Sequence, residues 1–252
     1  IDDINTSNTE LWKYVDDTTI AECVDKKKDS RIQSDVEELI TKSNQNKFQL
    51  NESKCKELRI SFAKPAAVFD PIVINGEAIE VVSTVKLLGL NISSDLRWNC
   101  HVAEISKKVA SRLYFLRQLK RANIPAKNLL IFYLACIRPV MEYACPVFHN
   151  ALPAYLSAEL EQLQKRAMRI IFPFAPYRDA LHQANLETLS GRRQSITTKL
   201  FNSITCNSDH KLHELLPPCN SCEPNLRRKR NFNVPLAKTK RLKNTFIYSN
   251  CN

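Results

Sequence analysis

Three glycines in 252 residues leave this chain few places where the backbone can pass through left-handed conformations or lie flat against a ligand. A phosphate-cradling loop or a dinucleotide-binding fingerprint needs several glycines within a few residues, so both are excluded. Gly76 follows Asn75 inside Ile72-Val73-Ile74-Asn75-Gly76-Glu77-Ala78-Ile79, and Asn-Gly between apolar runs is the signature of a β-hairpin closed by two residues. Gly89 falls within Val85-Lys86-Leu87-Leu88-Gly89-Leu90-Asn91-Ile92. That segment is expected to be one strand with the glycine in its interior, where a bulge or a close backbone approach belongs.

A second turn is written without glycine. In Leu11-Trp12-Lys13-Tyr14-Val15-Asp16-Asp17-Thr18-Thr19-Ile20, two adjacent carboxylates stand between an apolar-aromatic flank and a β-branched flank. Strand, tight turn and second strand are expected, with the acids at the tip. Two carboxylates projecting together are costly unless a divalent cation neutralises them. Oxygen ligands suit a hard ion such as Mg2+, which keeps waters and completes its shell with substrate phosphates. The chemistry that follows is phosphoryl transfer with two metal ions.

Elsewhere the hydrophobic periodicity separates strands from helices. Ile32, Val36, Leu39 and Ile40 recur at helical spacing within 29–46, with Asp29 or Ser30 placed to cap the start. Glu57-Leu58-Arg59-Ile60-Ser61-Phe62 alternates like a strand. From His101 the pattern is helical. Val102, Ile105, Val109, Leu113, Leu116 and Leu119 form one apolar stripe, and Lys107, Lys108, Arg112, Arg117, Lys120 and Arg121 cover the other faces. A helix from Pro125 is expected to end near Arg138-Pro139, and another to run from Leu156 to Phe172. The fold class is α+β: antiparallel hairpins with a packed helix over residues 1–99, a helical region over 100–200, and a basic, flexible tail over 201–252.

Charge adds a partner. The formal net charge is +11. Arg227, Arg228, Lys229, Arg230, Lys238, Lys240, Arg241 and Lys243 carry eight of those charges beyond residue 223 with no acid among them. Such a run suits a phosphate backbone or a nuclear import signal. The nine cysteines are an odd number, and most stand singly in apolar segments, as reduced thiols do. An intracellular protein of nucleus or cytoplasm is expected, with no membrane span. The chain opens at Ile1 without Met, and is therefore read as a fragment.

Tyr14-Val15-Asp16-Asp17 resembles the Tyr-x-Asp-Asp box of reverse transcriptases, and the segments around it resemble those of non-LTR, jockey-type retrotransposons. Ile1-Asp2-Asp3-Ile4 is similar to a short segment that precedes the box, which makes Asp2 and Asp3 loop residues. Asn51-Glu52-Ser53-Lys54 is similar to the Asn-x-x-Lys that follows it, and Leu87-Leu88-Gly89 to the Tyr-Leu-Gly strand called the primer grip, with Leu87 in the aromatic's place. Ile137-Arg138-Pro139-Val140-Met141-Glu142-Tyr143 and Gln164-Lys165-Arg166-Ala167-Met168-Arg169 resemble segments beyond the palm. The resemblance implies the C-terminal part of a polymerase palm followed by a thumb-like helical region, and RNA-directed DNA synthesis on an RNA template with a DNA primer and deoxynucleoside triphosphates. It also implies roles. Asp16 and Asp17 would bind Mg2+, Tyr14 would lie beneath the primer terminus, and Lys54, with Lys56 as the competing candidate, would approach the leaving pyrophosphate. Leu87, Leu88 and Gly89 would hold the primer, and Lys107, Lys108 and Arg112 would track the backbones. The family needs a further aspartate and the fingers from an upstream part of the same polyprotein. The fragment alone is therefore expected not to polymerise.

Two alternatives are kept: a catalytically dead nucleic-acid-binding remnant, and an interaction protein whose acidic hairpin is incidental. Cys206, His210, His213, Cys219 and Cys222 include a Cys-x-x-Cys, yet their order matches no common zinc finger and Pro217-Pro218 stiffens the approach.

Overall fold

The computed structural model describes residues 9–25, 29–63, 68–219 and 232–251. The Ile1–Ile4 segment, the Arg227–Arg230 run and Cys222 lie outside them. The chain forms two compact units, Ile1–Arg97 and Trp98–Asn252; the sequence pattern predicts this boundary at residue 99.

Among the described residues the first unit contains four two-stranded sheets. Strands β1 (Glu10–Tyr14) and β2 (Asp17–Ala21) pair antiparallel, with Tyr14 opposite Asp17, so Val15 and Asp16 alone make the turn. Helix α1 (Ile32–Gln45) follows. Of the two residues expected to cap its start, Ser30 takes part, its hydroxyl oxygen accepting from the Ile32 N–H (3.4 Å). The Glu22 carboxylate, just past β2, accepts from the Arg31 N–H (3.0 Å) and from the Ser30 hydroxyl (2.7 Å), placing a negative charge where the helix dipole favours one.

Strand β3 (Lys56–Leu58) pairs parallel with β6 (Glu80–Val82). The strand expected to reach Phe62 therefore stops at Leu58. The Arg59 guanidinium then donates to Glu57 and to the carbonyls of Phe69 and Asp70, turning the chain aside. Between β3 and β6, β4 (Val73–Ile74) and β5 (Glu77–Ala78) form the hairpin expected at Asn75-Gly76, with φ of 50° and 84° at the turn. Gln33 of α1 pins it: its Nε2 donates to the Val73 carbonyl (3.1 Å) and its Oε1 accepts from the Val73 N–H (2.8 Å). Val36, Ile72 and Ile74 make the buried cluster, with Ile20, Ile32, Ile40 and Ile79 packed against it.

The segment expected to be a single strand through Gly89 is a hairpin. Strands β7 (Thr84–Leu87) and β8 (Leu90–Ser93) pair antiparallel, with Leu87 opposite Leu90. Leu88 (φ 45°) and Gly89 (φ 84°) form the turn. Positive φ at both central residues closes a two-residue hairpin with the twist its strands require, and glycine adopts it without steric cost.

The second unit is helical. Helix α2 (Asn99–Arg121) buries Val102, Ile105, Val109, Leu113 and Leu116, the stripe read from the sequence apart from half-buried Leu119, and packs along α6 (Ala154–Ile171), which buries Leu156, Leu160, Leu163, Ala167 and Ile171. Between them lie α3 (Ala126–Phe132), a wide π-type turn at Tyr133–Ile137, α4 (Arg138–Glu142) and α5 (Cys145–Phe148). The helix expected to end near Pro139 runs through it. Proline lacks an N–H and crowds the preceding carbonyls; the wide turn just before it makes room, and the Arg112 guanidinium donates to the Cys136 carbonyl there. No single helix among the described residues is long and apolar enough to cross a membrane. The apolar run through α3, α4 and α5 is core, since Leu129, Tyr133, Ile137, Met141, Cys145 and Phe148 are all fully buried.

Helices α7 (Tyr177–Gln183) and α8 (Leu189–Cys206) complete the bundle. Helix α8 runs past residue 201, where the basic, flexible tail is expected to begin. Helix α9 (Lys240–Lys243) leads to α10 (Phe246–Asn250), and Phe246 and Phe232 both meet the Phe201 ring, at 6.0 and 6.1 Å. Asn150 donates to the Ser249 hydroxyl (2.6 Å) and Cys251 is buried. Aromatic residues spaced among the basic ones supply an apolar side that charge counting overlooks.

Candidate functional site

Strand alternation decides which side chains accompany the acids. On β1 and β2, Glu10, Trp12, Tyr14, Asp17, Thr19 and Ala21 share one face, and Leu11, Lys13, Thr18 and Ile20 the other. Ile20 packs on the core, so the face carrying Asp17 is the outer one. Trp12 and Tyr14 are 51% and 63% exposed there. Asp16, in the turn, is exposed as well. Trp12 is a member of this face that the motif alone does not single out; the period of two would have found it. Among the described residues, a groove of about 700 Å³ continues the same face, lined by Glu10, Trp12, Ala21, Glu22, Cys23 and Arg31.

The turn is strained. Val15 has φ 57°, a conformation that crowds a β-branched side chain. Of the non-glycine residues with positive φ among those described, Asn75, Asn123 and Asn185 are of the type that tolerates it, and Val15 is the one β-branched member. Strain of this kind amounts to about 1–3 kcal/mol and collects where geometry serves function.

Asp16 and Asp17 fit a hard divalent ion in donor type, being adjacent, exposed oxygen ligands. The described residues do not bring together three His, Cys, Asp or Glu side chains that could hold a metal. On the described residues alone the pair does not amount to a metal site. For the same reason the described members of the zinc candidates, Cys206, His210, His213 and Cys219, do not converge into a site.

The Asn-x-x-Lys spacing has a local cause. Asn51 Oδ1 accepts from the Lys54 N–H (3.3 Å) and the Ser53 hydroxyl (2.7 Å), which closes the 3-10 turn Glu52–Lys54 and leaves Lys54 exposed at its end. Lys56 differs, because its ammonium pairs with Glu80 at 2.6 Å. A hydrogen bond from its own backbone N–H, then one from Asn75, holds the Glu52 carboxyl below the usual range. Leu87 is half-buried in β7, whereas Leu88 is 43% exposed at the β7–β8 turn.

On α2, Lys107 and Lys108 are exposed, and Lys108 reaches Glu104 at 3.6 Å. Arg112 is half-buried and donates to the Cys136 carbonyl. Sequence patterning gives no hint of a polar network inside the bundle. Gln164 is buried on α6; its Oε1 accepts from the Tyr133 hydroxyl (2.5 Å), and its Nε2 donates to the Tyr177 hydroxyl (2.9 Å) and the Glu187 carbonyl (3.1 Å). The Glu161 carboxylate accepts from the Tyr177 hydroxyl and from the N–H groups of Leu189 (3.2 Å) and Ser190 (3.0 Å), the first turn of α8. Burial first, then the bond to Glu161, pushes the Tyr177 phenol well above its ordinary value. Fully buried Arg193 donates to the Ser157 hydroxyl (3.0 Å) and lies 3.5 Å from His149 Nδ1. A glutamine and an arginine within an amphipathic pattern look like surface positions, and the partners that permit their burial are remote in sequence.

Comparison with known proteins gives one finding. The family model described as the alkylated DNA repair protein alkB homolog 8, N-terminal, matches residues 98–138, which span α2, α3 and the wide turn. No curated protein and no solved structure matches the chain.

Proposed function

We propose that the chain is a C-terminal piece of an RNA-directed DNA polymerase of a non-LTR retrotransposon, comprising part of the palm and a thumb-like helical region. The observation that carries this reading is the strained two-residue turn, which holds Asp16 and Asp17 exposed at the tip of β1–β2 beside the aromatic face of Tyr14 and Trp12. Bound there, Mg2+ would activate the attacking oxygen and stabilise the leaving group. The residues of the chain have separate tasks. Asp16 and Asp17 offer oxygen ligands, and a further aspartate of an upstream palm strand would complete the set. Tyr14 and Trp12 give a flat surface for the primer terminus. Lys54, exposed where Lys56 is held by Glu80, supplies the cation for an incoming triphosphate. The turn Leu88-Gly89 would contact the primer, and Lys107 and Lys108 the template and primer phosphates.

A second reading follows from the incomplete ligand set: a nucleic-acid-binding remnant without catalysis. One experiment separates the two. Binding of the chain to a primed RNA–DNA hybrid is measured with and without Mg2+, for wild type, Asp16→Ala/Asp17→Ala and Lys54→Ala. Wild type should bind more tightly with Mg2+. The double variant should lose that response and bind better than wild type in its absence, because two negative charges no longer face the phosphates. Lys54→Ala should keep the Mg2+ response and bind a deoxynucleoside triphosphate more weakly. Equal binding by wild type and the double variant in both conditions establishes the remnant and overturns the polymerase reading. Efficient template-dependent synthesis by residues 1–252 alone would refute the need for an upstream aspartate.

A further inference from the structure

Helix α2 is 23 residues long and turns only one stripe inward. At roughly 100° per residue, Lys107, Ser111, Tyr114 and Gln118 fall on the side opposite Val109 and Leu116, with Phe115 and Arg121 flanking them. Tyr114 and Phe115 are 55% and 54% exposed. Their ring centroids lie 5.6 Å apart at an interplanar angle of 74°. Folding does not require these rings; they leave apolar area in water on a helix whose core face is already complete.

Their surroundings indicate what they meet. From Lys107 to Arg121 the helix contains no Asp or Glu, while Lys107, Lys108, Arg117 and Arg121 carry positive charge. Glu104, the nearest acid upstream, is engaged by Lys108 at 3.6 Å. A protein-docking patch has an apolar centre with charge kept at its rim. Here cations and rings alternate along the helix, with Lys107 and Lys108 before Tyr114 and Phe115, and Arg117 and Arg121 after them. That interleaving matches a strand whose phosphates are anionic and whose bases present π-faces. A blunt duplex offers the phosphates and keeps its bases stacked out of reach.

We infer that the outer face of α2 is a stacking platform for single-stranded nucleic acid, with Tyr114 and Phe115 taking unpaired bases and Lys107, Lys108, Arg117 and Arg121 the adjoining phosphates. The inference rests on the nucleic-acid reading above and is independent of Asp16 and Asp17, so a Mg2+-insensitive chain overturns the polymerase and leaves the platform standing.

The test uses the whole chain and single strands of about 12 nucleotides, within the range of site sizes for such grooves. RNA and DNA arms of one sequence identify which strand is preferred, and a blunt duplex of equal length is the control. Tyr114→Ala/Phe115→Ala should weaken single-strand binding about thirtyfold or more and leave duplex binding and the salt dependence unchanged. Lys107→Ala/Lys108→Ala should lower the log–log salt slope by about 0.7 for each phosphate that is no longer neutralised. Tyr114→Trp/Phe115→Trp should retain wild-type affinity, whereas Tyr114→Leu/Phe115→Leu should bind like the alanine variant. A 2-aminopurine in the strand should change fluorescence on binding wild type and not the alanine variant. Unchanged single-strand affinity in the alanine variant, equal loss on the duplex, full rescue by leucine, or no single-strand binding by wild type overturns the platform. Rescue by leucine would assign the face to an apolar protein partner.

Discussion

Replacing Val15 with glycine should stabilise the strand-rich unit, although it removes a side chain and adds chain freedom. Val15 sits at φ 57°, and a β-branched residue there stores about 1–3 kcal/mol. Glycine relieves this and loses roughly 0.5–1 kcal/mol in backbone entropy, so the net gain is about 1 kcal/mol. Only the first central residue of the turn has positive φ, the position where the matching hairpin turn takes glycine. The gain reaches the whole unit because Ile20, paired with Leu11 across the hairpin, packs on Val36, Ile72 and Ile74. For a unit of this size about 1 kcal/mol corresponds to a rise in Tm of roughly 4–8 °C. The chain has two tryptophans, Trp12 on the hairpin and Trp98 in the other unit. In a Trp98→Phe background, Trp12 fluorescence therefore follows the hairpin alone during thermal unfolding. A fall in Tm, or no change, would show that the turn is not strained by Val15. If the strain serves to aim the carboxylates, the same variant weakens the Mg2+-dependent binding proposed above while raising stability.

Two further outcomes concern the helical unit. Glu161→Ala removes the acceptor for Tyr177 and for two N–H groups of α8, and should destabilise the unit by about 3 kcal/mol; chemical denaturation followed by circular dichroism measures it, and a loss below about 1 kcal/mol contradicts the network's role. Burial depresses the pKa of both His101 and His149 below 6.5, with Lys108 adding to the effect at His101 and Arg193 at His149. The unfolded chain then binds more protons than the folded one just below pH 6.5, so stability is full above that pH and declines as the solution is acidified through it. His101→Phe/His149→Gln should flatten the Tm profile between about pH 7.5 and 5, and an unaltered slope would remove these two groups from the account.

Legibility differs between the two units for a physical reason. Turn chemistry is local, so Asn75-Gly76 announces its hairpin, and the apolar stripes of α2 and α6 are visible because burial repeats with helical period. At Leu88-Gly89 the local signal is ambiguous: apolar residues on both sides of one glycine suit a continuous strand or a hairpin, and only the pairing of β7 with β8 selects the latter. Pro139 reads as a helix end because a proline N–H is missing from the ladder; the wide turn before it, which Arg112 meets from another helix, lies outside that local signal. The basic composition beyond residue 223 suggests a flexible tail, while the meeting of Phe232 and Phe246 with Phe201 is a long-range event that charge does not reveal.

By itself, then, the chain's order of residues determined the acidic turn, the Asn51–Lys54 spacing and the faces of the major helices, since each depends on neighbours within a few positions. Tertiary structure alone decided the pairing of Lys56 with Glu80, which sets it apart from exposed Lys54, the capping of α1 by Glu22, and the buried hub at Gln164. Each of these requires a partner brought near by folding. Periodicity tells which side of an element faces inward, and only the packed chain tells what it meets there.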